Sequence, residues 1–258
     1  PAVARLLESA GCDALDVDNG SYDAWFWAHP PVYMPYGCNL PEAAYLKYYV
    51  NIPIICSGRM EDPDIALSAI TNKQIDGIGI ARQLLADPEW CLKIKNEDLK
   101  SIRPCIACHN GCFGRLTNGK NVSCALNPVA LQEKKYRITP AERKKHVVVI
   151  GGGIGGMEAA RICSLRGHHV SLYEKNDRLG GVFIAAAAPS FKEADKKLIN
   201  WYIDQLSVLN IDIYLNEEIT TEKLNDIQAD AFIVATGAKE RKLNIPGANS
   251  TIVMSAID

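Results

Sequence analysis

Four cysteines in this 258-residue chain stand at a spacing suited to metal chemistry: Cys105-x2-Cys108-x3-Cys112-x11-Cys124. Three thiols within one turn, and a fourth after a hairpin-length excursion, can surround a compact cuboidal iron–sulfur cluster. Gly111, Gly114 and Gly119 let the backbone bend around a metal and aim N–H groups at sulfur. Arg103, Arg115 and Lys120 lie close enough in sequence to offset thiolate charge. Structural zinc is the alternative, but zinc ribbons usually present two short cysteine knuckles and the second half here has one Cys. His109 lies inside the loop and, with four cysteines available, reads as a bystander.

A second pattern is Gly151-x-Gly153-x-x-Gly156, directly after the apolar run Val147-Val-Val-Ile150 and followed by Glu174. Such a loop gives a tight turn, close backbone approach to a pyrophosphate and a helix N-terminus for its charge, while the carboxylate suits ribose hydroxyls. An acidic residue here argues against a 2′-phosphate. NAD and FAD share this fingerprint. Two further segments tilt it to FAD: Glu174-x5-Gly180-Gly181 and Asp230-Ala-Phe-Ile-Val-Ala-Thr236-Gly237. Both resemble parts of two-dinucleotide-domain flavoprotein reductases, which adds Gly181, Thr236 and Gly237 to the candidate FAD contacts.

Two strand ends in the front half carry phosphate-compatible residues. Ile54-Ile-Cys-Ser57 leads into Gly58-Arg59, and Gly79-Ile-Ala81 leads into Arg82. If these are the last two strands of a (β/α)8 barrel, their loops form its usual phosphate site. Between them and the N-terminus lies a loop, 19–38, rich in Tyr22, Trp25, Phe26, Trp27, His29, Tyr33 and Tyr36. Those rings either wall an apolar pocket or pack beneath a long lid.

The elements that must position these residues follow from periodicity. Helical patterns cover 3–10, 42–50, 63–70 and 88–95, with strands at 14–17, 52–56 and 75–80. Asp62-Pro63 marks one helix start, since Asp can cap and Pro fits the first turn. This alternation means parallel βα units. Residues 101–128 have no periodicity and 129–145 read as a polar, basic linker. A second α/β run has strands at 147–150, 170–173, 211–215 and 231–235, with helices at 154–165 and 192–209. The expected domains are therefore 1–100, 101–128, 129–145 and 146–258.

Hydrophobic residues make up 48% of the chain, enough for real cores, and a net charge of −2 gives no sign of a nucleic-acid or anionic-membrane partner. The longest apolar run, 182–188, falls far short of the roughly 18 residues a spanning helix needs. No export leader is visible. A soluble, cytoplasmic protein is expected, and in that compartment nine cysteines read as metal ligands and buried hydrophobes rather than disulfides. The chain opens without Met inside a helical pattern and stops just after a strand, so both ends are expected to be cuts in a longer protein.

Taken in order, the segments Ser57-Gly-Arg-Met-Glu-Asp-Pro63, Ala81-Arg-Gln-Leu-Leu-Ala-Asp-Pro-Glu-Trp90, Arg103-Pro-Cys-Ile-Ala-Cys-His-Asn-Gly-Cys112 and Gly151–Gly156 resemble one family over essentially the whole chain. It is the Old Yellow Enzyme-related iron–sulfur reductases, comprising 2-enoate reductase, 2,4-dienoyl-CoA reductase and trimethylamine dehydrogenase. Asp18-Asn-Gly-Ser-Tyr-Asp23, His29-Pro-Pro31 and Tyr33-Met-Pro35 look most like the 2-enoate reductase branch. The resemblance implies the last units of an FMN barrel, a [4Fe–4S] segment, and an FAD domain that stops before its NAD(H) insertion. FMN maps onto Gly58, Arg59, Ala81 and Arg82, the cluster onto Cys105, Cys108, Cys112 and Cys124, and FAD onto Gly151, Gly153, Gly156 and Glu174. Tyr22 and His29 are the candidate proton donors. The implied reaction takes electrons from NADH through FAD, cluster and FMN to an activated C=C bond of a small unsaturated substrate. An oxidative amine demethylase, or an electron-transfer module without a substrate site, are the alternatives, and a homo-oligomer is open. Gln83 stands where the family usually has Pro, which reads as a small local change.

Overall fold

The computed structural model describes residues 1–239, 241 and 244–255. The chain divides into two compact units, Pro1–Tyr136 and Arg137–Asp258.

The first unit runs α1 (Ala2–Ser9), β1 (Leu15–Val17), α2 (Trp25–Ala28), α3 (Leu40–Lys47), β2 (Ile54–Ser57), α4 (Pro63–Thr71), β3 (Gly77–Gly79), α5 (Arg82–Ala86), α6 (Trp90–Lys95), a 3-10 turn (Leu99–Ser101) and α7 (Phe113–Leu116). The three strands pair in the order β1-β2-β3, all parallel, with Leu15 opposite Ile54 and Ile55 opposite Gly77. A helix between each pair of strands leaves parallel pairing as the natural outcome. Ile54, Cys56 and Met60 are fully buried and meet Ala43 of α3 and Ala69 of α4 in one core. The expected cap at α4 is present: the Asp62 carboxylate accepts from the N–H groups of Asp64 and Ile65, and Pro63 follows. The expected helix at 88–95 starts two residues later. Here Asp87 accepts from Glu89 N–H, Arg103 N–H and the Lys93 ammonium, at 3.1, 2.8 and 2.7 Å, and so anchors the turn before α6.

The second unit runs β4 (His146–Ile150), α8 (Ile154–Leu165), β5 (His169–Tyr173), α9 (Phe183–Ala186), α10 (Glu193–Ser207), β6 (Ile211–Tyr214), α11 (Thr221–Asp226) and β7 (Ala231–Val234). Its sheet has the order β6-β5-β4-β7, again parallel. Val147 to Ile150 are buried without alternation, as a central strand covered on both faces must be. The edge strand β6 is mostly exposed. On α10, Ala194, Leu198, Trp201, Tyr202 and Leu206 form the buried stripe, at helical spacing. The chain leaves β4 toward β5 on one side and returns to β7 on the other. The C-terminal end of β4 is thus the switch point where open α/β sheets bind ligands.

Among the described residues, no helix is long and apolar enough to cross a membrane.

Candidate functional site

In the second unit, the glycine loop occupies the switch point. Gly151 has φ +108°, a conformation that costs a side chain heavily. A Cβ on Gly156 would overlap the Gly151 carbonyl oxygen, so this glycine lets α8 pack onto the turn. Gly153 has nothing within 4 Å of its Cβ direction: this part of the loop is open to a ligand. Two other segments close around it. Gly180 N–H donates to the Gly152 carbonyl at 2.8 Å, and a Cβ on Gly181 would sit 3.0 Å from Gly153 Cα. Ala235 N–H donates to the Ile150 carbonyl at 2.8 Å, which brings Thr236 and Gly237 to the same edge.

Glu174 follows β5 and is only 5% exposed. One carboxylate oxygen accepts from Gly152 N–H at 2.6 Å, and the other from Asn176 N–H and Nδ2 at 2.9 and 2.7 Å. The oxygen that meets Gly152 keeps acceptor capacity for a ribose hydroxyl, while the other is already taken twice by Asn176. Every FAD candidate read from the sequence therefore lies on one edge, and the donor set fits a dinucleotide with free ribose hydroxyls.

In the first unit, Cys105, Cys108, Cys112 and Cys124 line one cavity of about 20 Å³ together with Arg82. The distant fourth cysteine is held there by Gly111. A Cβ on Gly111 would come within 2.8 Å of Cys124 Cα, and Ser123 N–H donates to the Gly111 carbonyl at 2.7 Å. Sulfurs are met by N–H groups two residues ahead: Ala107 to Cys105, Asn110 to Cys108, and Leu126 to Cys124, the last at 3.4 Å. Positive φ at Ala107 and His109 turns the loop this way. Burial pushes the Cys105 thiol up to about 12 and raises Cys108. Among the described residues, no three His, Cys, Asp or Glu side chains gather tightly enough for a single metal ion.

Arg82 joins this cavity to the aromatic loop. Its guanidinium donates to His109 Nε2 at 2.7 Å, a bond that requires neutral imidazole. Burial and then the Arg82 charge lower the pKa of His109. Phe113 lies between His109 and His29, at centroid distances of 6.1 and 4.3 Å. Trp25 stacks on His29 at 5.3 Å, and Tyr22 meets Trp25 edge-on at 5.4 Å. Both candidate proton donors thus belong to one aromatic group. Tyr22 is 86% exposed at its outer end, whereas His29 is half-buried, with its pKa lowered by burial and then by Arg82.

The Gly58-Arg59 turn has a left-handed backbone at both residues. Gly58 has φ +115° and Arg59 φ +53°. The Arg59 guanidinium is buried, turned to the carbonyls of Val32 and Met34 and to Glu61. Ala81 stands just before α5 without a side-chain cap to offer.

Three residues escaped the sequence reading. Asn39 is fully buried and donates to Asp18 and to the Ser57 carbonyl, both at 2.9 Å. Phe113 gave no signal beyond its place beside Cys112. Gln83 is no small local change: it donates to the Arg103 carbonyl at 2.9 Å and accepts from Cys105 N–H at 2.8 Å. It sews α5 to the start of the cysteine loop, and its departure from Pro was the available clue.

The pyridine nucleotide-disulphide oxidoreductase family model matches residues 145–258. The chain is 45% identical to cinnamate reductase of Clostridium sporogenes, over 99% of this chain and 38% of that protein. A solved 2-naphthoyl-CoA reductase complex superposes with TM-score 0.92 at 30% identity, covering 100% of this chain and 39% of that one. For 6-hydroxypseudooxynicotine amine oxidase of Pseudomonas geniculata N1 the values are 0.87 and 29%, covering 96% and 39%. The chain thus spans 38–39% of the length of these relatives. Likeness in sequence and in three dimensions along nearly all of its own length makes the chain a member of the Old Yellow Enzyme-related flavoprotein reductases, the family that includes the 2-enoate reductases.

Proposed function

We propose that the full-length protein reduces an activated C=C bond, in a 2-enoate or related unsaturated compound, at the expense of NADH. In this reading the first unit is the closing part of a (β/α)8 FMN barrel with a [4Fe–4S] segment, and the second holds FAD. The observation that carries it is the cavity lined jointly by Arg82 and all four clustered cysteines. Three close cysteines and one distant one suit a cuboidal cluster better than zinc, whose ribbons usually present two short cysteine knuckles. When bound, the flavins supply hydride chemistry and the cluster single-electron transfer.

The chain's own residues do the rest. Gly151 to Gly156 and the start of α8 receive a pyrophosphate, Glu174 the ribose, and Gly181, Thr236 and Gly237 close over the dinucleotide. Cys105, Cys108, Cys112 and Cys124 hold the cluster. Arg82, Ala81 and the main chain of Gly58 and Arg59 seat the FMN phosphate. Tyr22 and His29, in one aromatic group, are the residues able to hand a proton to substrate carbon. Cinnamate reductase is named for an aryl enoate, and a wall of Trp25, Phe113 and His29 suits an aryl substituent.

The likeness to an amine oxidase supports a second reading, oxidation of an amine. The full-length protein is expected to contain FMN, FAD and iron and to reduce cinnamate with NADH. Arg82→Met is expected to lose FMN and keep FAD. Oxidation of amines with no reduction of cinnamate would establish the second reading instead.

A further inference from the structure

The Arg59 side chain has an environment that a phosphate ligand would not have. It is 3% exposed and faces away from open space. One guanidinium nitrogen donates to the carbonyls of Val32 at 2.9 Å, Pro31 at 3.5 Å, and Met34. Nε meets the Glu61 carboxylate at 3.3 Å, and the plane lies 4.1 Å from the centre of the Tyr36 ring. The Arg59 carbonyl in turn accepts from Gly37 N–H at 2.8 Å. Residues 31–37 have no regular secondary structure, so their carbonyls lack ladder partners. A planar, five-donor group can serve several such acceptors at once, which an ammonium on a flexible stem does poorly.

We propose that Arg59 is a positioning residue, latching the 31–37 segment of the aromatic loop onto the turn that ends β2. The left-handed backbone at Arg59 is what sends its side chain back beneath the loop. One residue then joins two functions: its main chain lies in the candidate phosphate turn, and its side chain sets where the 31–37 end of the aromatic loop stands. Asn39, bonded to the Ser57 carbonyl and to Asp18, fastens the end of the same loop by an independent contact. The latch therefore tunes a loop that remains tethered. This inference rests on the reading that the loop borders the substrate and the turn borders FMN.

The test uses the full-length holoenzyme with Arg59→Lys and Tyr36→Leu; the second removes the ring on which the guanidinium lies. FMN content, KM and kcat for cinnamate, and chymotryptic cleavage after Tyr33, a site both variants retain, are measured against the unmodified protein and Arg82→Met. Loss of binding that is uniform in ground and transition states raises KM more than it lowers kcat. Both variants are expected to keep FMN, to raise KM about ten-fold with a smaller change in kcat, and to be cut faster in the loop. If Arg59→Lys loses FMN as Arg82→Met does while the loop stays protected, Arg59 is a phosphate ligand and the proposal falls. It falls equally if cleavage and KM do not move. Absence of FMN from the unmodified protein would instead refute the underlying flavin assignment, and the cleavage rates would still read the latch.

Discussion

At the scale of single residues, the two glycines that flank the start of α8 have opposite duties. Gly153 faces open space at an ordinary φ of −72°, so Ala there is expected to leave stability within about 0.5 kcal/mol. Its methyl would project toward the approaching pyrophosphate, so FAD content of the purified full-length protein should fall. Gly156→Ala drives a methyl into the Gly151 carbonyl and is expected to cost about 1–3 kcal/mol, read by denaturant unfolding. His29 makes a pH prediction. Burial, then Arg82, lower its pKa from 6.5, while Asp18 opposes weakly. The native state therefore binds fewer protons than the unfolded chain. Stability from this residue is present above 6.5 and is lost as pH falls through that value toward the lower native pKa. Melting temperature plotted against pH should fall more steeply on the acid side for the unmodified protein than for His29→Gln.

At the scale of elements, the short helices depend on what anchors their ends. Helix α4 has nine residues and relies on Asp62, whose carboxylate takes two of its orphan N–H groups. Asp62→Ala is expected to cost about 1 kcal/mol, visible as a shift in urea midpoint with an unchanged slope. Helix α5 lacks a side-chain cap and is held instead through Arg82 and Gln83, which both reach the cysteine loop. Sheet strands behave differently. In β4 the unbroken burial of Val147 to Ile150 fixes the strand regardless of its termini, which is why its position was legible without its neighbours.

At the scale of the whole molecule, each of the two units carries its own candidate site, and this separation can be tested chemically. Cys112→Ser in the full-length protein is expected to lower iron content and abolish NADH-driven reduction of cinnamate. NADH-driven reduction of an artificial acceptor requires the second unit with Gly153 and Glu174, and should persist. A cluster-free variant that still carries both flavins and reduces cinnamate at the normal rate would overturn the assignment of the cysteines. Equal loss of both activities would show that the cysteine segment supports the fold of both units.

Much of this was determined by the sequence alone, wherever the determining interactions are local. The helix expected at 154–165 is observed over the same residues, because an apolar strand, a glycine turn and a helical stripe follow one another without interruption. The cap at Asp62 and the spacing of the first three clustered cysteines are likewise matters of a few residues. Tertiary structure decided what joins distant segments. Gln83 meets residues 20 and 22 positions away, Asn39 meets Ser57 across 18, and Arg59 meets Val32 across 27. No periodicity encodes such partners. They depend on which carbonyls a folded loop leaves unpaired, and on which buried side chain has the donors and the plane to satisfy them. Arg59 shows the difference most sharply: its position in a β-strand turn suggested a phosphate, and only the left-handed backbone and the carbonyls of residues 31–34 reveal that its charge is turned to the aromatic loop.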